Sequence, residues 1–147
     1  MITAMLIAAF FLALRGELFP APPRQVTPAA LNDVRSIGVV QAEDSREISY
    51  DGEFEITNTF VIDVGSASAK EVVGKVVSRL RERGWETIAK KETGAVMKSA
   101  KWKALVAVDP FYLEALQHHP GILQTLNGKS VNTDAYAIVR VDVVQGA

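Results

Sequence analysis

Apolar positions recur at helical spacing in one stretch of the chain and alternate in several others. Ala69, Val72, Val73, Val76, Val77 and Leu80 fall at i, i+3, i+4, i+7, i+8 and i+11. That spacing sets one apolar stripe on a 3.6-residue period, with Lys70, Glu71, Lys75, Arg79, Arg81 and Glu82 opposite. It predicts one long amphipathic helix over about 68–83. Ser68, followed three residues later by Glu71, fits a capping box at its start. Gly84 stands where a left-handed residue is wanted at its end, and Leu80 and Trp85 are placed for the apolar contact of a Schellman motif. Gly74 in the interior costs roughly 1 kcal/mol relative to Ala. Close approach of the helix to a neighbour is the expected reason.

The stretch before this helix alternates instead. Phe54, Ile56, Phe60, Ile62 and Val64 share one face, and Glu53, Glu55, Thr57, Thr59 and Asp63 the other. This predicts a strand with one buried face and one solvated polar face. Asn58 falls on the apolar face, where a bulge or a backbone partner is expected. The helix stripe is expected to pack on Phe54, Ile56, Phe60 and Ile62. After the helix, 85–90, 95–98 and 101–108 read as strands, and 135–143 as a closing strand whose second face is made less polar by Ile138.

The remaining stretches have weaker patterns. Asp51-Gly52 between short alternating arms signals a type I′ hairpin. Thr27-Pro28 resembles an N-cap and N1 pair opening a helix to about Arg35. Residues 37–41 read as a short strand, 41–46 as a polar connection, 110–118 as a short helix interrupted by Pro120-Gly121, and 122–126 as a further turn. The sum is an α+β domain with an antiparallel sheet of four or five strands and the 68–83 helix on one face. The order β-α-β-β-(β)-α-β invites comparison with the ferredoxin-like arrangement.

Residues 1–14 are an apolar run with Thr3 its only polar side chain, followed by Arg15, Gly16 and Glu17. As a helix the run spans ~21 Å, short of a ~30 Å hydrocarbon core. Three readings stand: a membrane anchor lengthened by an upstream start, a cleaved or atypical signal, and a helix buried in the domain or a partner. The anchor is preferred, because the large side chains wrap most of the helix circumference. Residues 1–19 are therefore taken as an N-terminal apolar segment, 20–28 as a proline-rich spacer, and 29–147 as a single domain. The expected location is a membrane, single-pass, with the domain outside the cytoplasm; secretion is the alternative.

The 147 residues carry a net charge of −1 and no cysteine, which removes disulfides, thiolate metal sites and a cysteine nucleophile. Charge is nevertheless uneven. Residues 43–63 hold seven acids and one base, net −6, whereas 70–103 hold ten bases and four acids, net +6. Complementary charge on neighbouring elements, with solvated edges, is the bland reading. The functional one is an acidic protein partner or anionic lipid at the basic 70–103 region. No nucleic-acid partner is expected: Trp102 between Lys101 and Lys103 could stack on a base, but a strand or core anchor suits it better.

Candidate chemistry is sparse. Glu114 and His118 are i, i+4 on the expected 110–118 helix, with Asp109 and Asp134 as further oxygen donors, whereas His119 points about 100° away from His118 and does not easily join them. Solvent-facing histidines at a helix end are the preferred reading. Glu53, Glu55 and Asp63 could be drawn as an acid/base set but are expected to be solvated. No catalytic, cofactor-binding or metal residues are assigned. The leading expectation is a non-enzymatic, membrane-anchored binding or structural module. The alternative is a soluble domain that binds a small ligand, or catalyses hydrolysis, in a cleft near residues 109–134.

Overall fold

The computed structural model describes residues 22–129 and 132–144. The apolar run and the first part of the spacer lie outside them. The elements are α1 (Pro28–Arg35), β1 (Val39–Tyr50), β2 (Glu53–Asp63), α2 (Ala69–Glu82), β3 (Glu86–Lys90), β4 (Ala95–Ser99), β5 (Ala104–Pro110), α3 (Pro120–Asn127) and β6 (Tyr136–Val143). Short 3₁₀ turns at Leu113–Leu116 and Thr133–Ala135 flank α3. The strands form one antiparallel sheet in the order β1-β2-β6-β5-β4-β3. The α+β class is as expected, but there are six strands and the order is not ferredoxin-like. From β2 the chain crosses through α2 to the far edge, returns by the β3-β4-β5 meander, and inserts β6 between β5 and β2.

Local signals hold where backbone chemistry enforces them. Gly84 has φ +90°, Trp85 N–H donates to the Leu80 carbonyl at 3.1 Å, and Gly84 N–H to that of Arg81 at 3.0 Å, the two bonds of a Schellman motif. Asp51 and Gly52 both have positive φ, 50° and 79°, as a type I′ turn requires. Thr27 caps α1, its hydroxyl accepting from Ala30 N–H. Ser68 is the N-cap of α2, but its side chain makes no capping bond. The Ser66 hydroxyl donates to the Ser68 carbonyl instead, at 2.7 Å.

The larger core lies under α1 and α2. Val72, Val76 and Leu80 are fully buried, against sheet residues that include Met97, Val106, Val108 and Val139. α2 therefore sits over β3 to β6 rather than over β2 as expected. Phe60 and Ile62 belong to this core, but Ile56 is half-buried and Phe54 is 47% exposed, because β2 runs out beyond the helix layer. Asn58 makes no bulge. The register shifts fall at Gln41 in β1 and Ile88 in β3. Gly74 has no close neighbour either: a Cβ built there meets nothing within 4 Å.

Asp33 on α1 ties the layers together. Its carboxylate accepts from the Trp85 and Trp102 indoles at 3.0 and 3.3 Å and pairs with Arg83 at 3.2 Å. Trp102 is thus an anchor between the β4–β5 turn and α1. On the opposite face, α3 and its flanking turns cover only the part of the sheet bearing Ala42, Val61, Tyr136 and Ile138, sealed by Leu116, Ile122 and Leu126. The first half of central β6, residues 136–139, is accordingly buried on both faces. The expected 110–118 helix is the end of β5 followed by the first 3₁₀ turn, and Pro120 opens α3 instead of interrupting a helix. The expected polar connection 41–46 is strand, continuous with both its neighbours in β1.

Candidate functional site

Two of the surface depressions among the described residues lie on opposite faces of the sheet. The first is a cleft of about 380 Å³ on the face that α3 leaves partly open. Cross-strand pairing sets its floor. Asp44, Thr59 and Arg140 lie in one row across β1, β2 and β6, and Arg46 faces Thr57 in the next. Nearly every charge here has a partner. The Thr57 hydroxyl donates to Asp142 at 2.6 Å, and Arg140 Nε donates to the same carboxylate at 3.0 Å. His119, the N-cap residue of α3, places Nδ1 3.1 Å from Asp44. A carboxylate only accepts, so that nitrogen carries the hydrogen.

Glu55 is the clearest departure from the expected solvated strand face. It is only 6% exposed and pairs with Arg24 at 3.5 Å; Arg24 also lies 3.6 Å from Glu53. Arg24 reaches this position because its backbone bridges β2: its N–H donates to the Phe54 carbonyl and its carbonyl accepts from Ile56 N–H, both at 2.8 Å. Its guanidinium donates to the Val144 carbonyl as well. Val26, two residues on, is buried. This part of the expected spacer is packed on the domain. Asp63 lies at the far end of β2, where it accepts from Gly65 N–H at 2.8 Å, so the three carboxylates do not converge.

The histidine set does not assemble either. His118 is exposed, Glu114 belongs to the 3₁₀ turn, and the two share no continuous helix. Among the described residues no group of three or more His, Asp and Glu side chains could hold a metal ion. In the cleft, Arg46 alone of the charged side chains has no hydrogen bond or ion pair among the described residues. The Thr59 hydroxyl is buried without a partner.

The second depression, about 310 Å³, is a groove between α2 and edge strand β3. Val73, Gly74 and Val77 form its helix wall, and Thr87 and Ala95 lie on the sheet side. Arg81 stands toward one end and Lys90 and Lys91 toward the other, and no acid lines it. None of these three cations has a side-chain partner among the described residues. The Thr87 hydroxyl is buried and has no hydrogen-bond partner among the described residues. The groove escaped sequence reasoning because α2 and β3, although consecutive in the chain, carry no pattern that marks a gap between them. The unexplained Gly74 was its one signal.

Strand order also sets the two charged edges apart. The acidic stretch occupies β1 and β2 and the basic one α2, β3 and β4, with β6 and β5 between them. At ~4.8 Å per strand the two edge strands lie about 24 Å apart. That is several times the ~8 Å screening length at physiological salt. Within one chain the edges do not neutralise each other.

Comparison with family models, curated proteins and solved structures finds no match for this chain.

Proposed function

We propose that this chain is a non-enzymatic binding module that takes an acidic protein partner in the α2–β3 groove. It is held at a membrane by its N-terminal segment, with the domain outside the cytoplasm. One observation carries the binding assignment: three cations with no partner among the described residues border an apolar wall with no acid among the lining residues. Cations already paired within a fold gain little from a ligand, whereas unpaired ones gain a partner on binding. A concave groove with an apolar wall suits a protein segment better than a flat layer of lipid headgroups. The location rests on the apolar run of residues 1–14 and its fit to lipid.

Full-length protein in non-ionic detergent is titrated with a short polyglutamate peptide. Weak binding is expected, lost at about 0.5 M salt, where the screening length falls to roughly 4 Å, and lost in Lys90→Glu/Lys91→Glu. Binding that survives the double reversal contradicts the assignment. Fractionation of cells with intact-mass measurement tests the location, and full-length protein in the soluble cytoplasmic fraction contradicts it.

A further inference from the structure

We infer that the acidic partner is the β1 edge of a second copy of this chain, so that copies associate head to tail along the sheet. This rests on the groove reading above and names its occupant. The geometry comes from strand order. A six-stranded, fully antiparallel sheet has edge strands that run in opposite directions, here β1 and β3. A second copy set beside the first in the same orientation therefore brings its β1 antiparallel to the first copy's β3. The alternation continues across the junction, and the helices α1 and α2 stay on one face throughout. Contacts of this kind do not close on themselves by a two-fold axis and generate chains or rings.

The side chains at the two edges match. Pairing with β2 puts Glu43 and Glu47 opposite Phe60 and Ile56, on the sheet face that α2 covers. Lys90 pairs with Ala95, also on that face, beside the groove. Antiparallel β1 then carries Glu43 toward the Lys90–Lys91 end and Glu47 toward Arg81. Glu43 also accepts from Arg35 at 2.9 Å, so it would be shared between the two cations, whereas Glu47 has no partner among the described residues. Gly74 fits the same contact. With no side chain and nothing within 4 Å of its Cβ position, it leaves the α2 backbone open to an arriving strand. The five-residue β3 carries a bulge at Ile88 and a lysine, features that blunt indiscriminate edge pairing. The junction is therefore held by charge and the apolar wall as much as by backbone bonds, and it is salt-sensitive.

The test is sedimentation velocity on the full chain in non-ionic detergent. The unsubstituted chain is expected to form concentration-dependent oligomers at low salt, with the association constant falling about tenfold or more by 0.5 M salt. Glu43→Lys/Glu47→Lys is expected to remain monomeric, and so is Arg81→Glu/Lys90→Glu/Lys91→Glu. Mixing the two variants restores association, because each reversed edge then meets a reversed groove. Circular dichroism on each variant confirms the fold. Oligomers that persist in both variants, or variants that do not recover on mixing, overturn the inference. A chain that is monomeric at every salt concentration yet binds polyglutamate in the groove also overturns it and leaves the groove reading standing. Absence of both binding and association overturns the two together.

Discussion

The cleft and the groove are of similar size and both are charged, yet their charges are disposed in opposite ways. In the cleft Asp142 is held by Thr57 and Arg140, Glu55 by Arg24 and Asp44 by His119. In the groove Arg81, Lys90 and Lys91 stand over Val73 and Val77 with no such bonds among the described residues. Charge density alone does not mark a binding surface. The cleft's carboxylates are acceptors for elements that must be fixed in place: the N-terminal stretch through Arg24, the start of α3 through His119, and the end of β6 through Asp142. The groove's cations fix nothing among the described residues, which leaves them for a partner.

Substitutions can break that contrast, and the largest effect is expected at the groove's foundation. Leu80 is fully buried where α2 meets the sheet, so Leu80→Ala should cost roughly 2–5 kcal/mol. Denaturant titration measures this, and a cost near zero would mean that the helix wall is not anchored as described. In the cleft, Asp142→Ala strips acceptors from Thr57 and Arg140. Both partners retain some access to water, so the loss should be about 1–2 kcal/mol, with no change in polyglutamate binding. In the groove, Gly74→Ala adds a Cβ that meets nothing and should raise stability by about 0.5–1 kcal/mol, read as a higher melting temperature. A stability loss there would show that the helix backbone is already in close contact.

Features written in a few adjacent residues were legible in advance. The Asp51-Gly52 turn, the Thr27-Pro28 helix start and the Leu80–Trp85 termination each follow from local backbone chemistry. The stripe on α2 was legible because burial on one face forces a period. β1 was not, because an edge strand needs no apolar alternation: Glu43, Asp44, Ser45 and Arg46 read as a connection while forming the middle of a twelve-residue strand. Pro120 looked like a break although a proline at the first helical position is compatible with a helix start. Burial of Glu55 could not be anticipated, since its cation comes from a proline-rich stretch that looked like a spacer. Insertion of β6 between β2 and β5 is a long-range choice, and it separates the two charged edges.

The claim that unpaired charge marks the binding face is tested most directly by amide NMR of the isotopically labelled chain during polyglutamate addition. Amide signals from 73–81 and 87–95 are predicted to shift together and to return when salt is raised, while those of Thr57, Thr59, Arg140 and Asp142 stay in place. Shifts confined to the cleft residues, with the α2–β3 signals unmoved, would contradict the account.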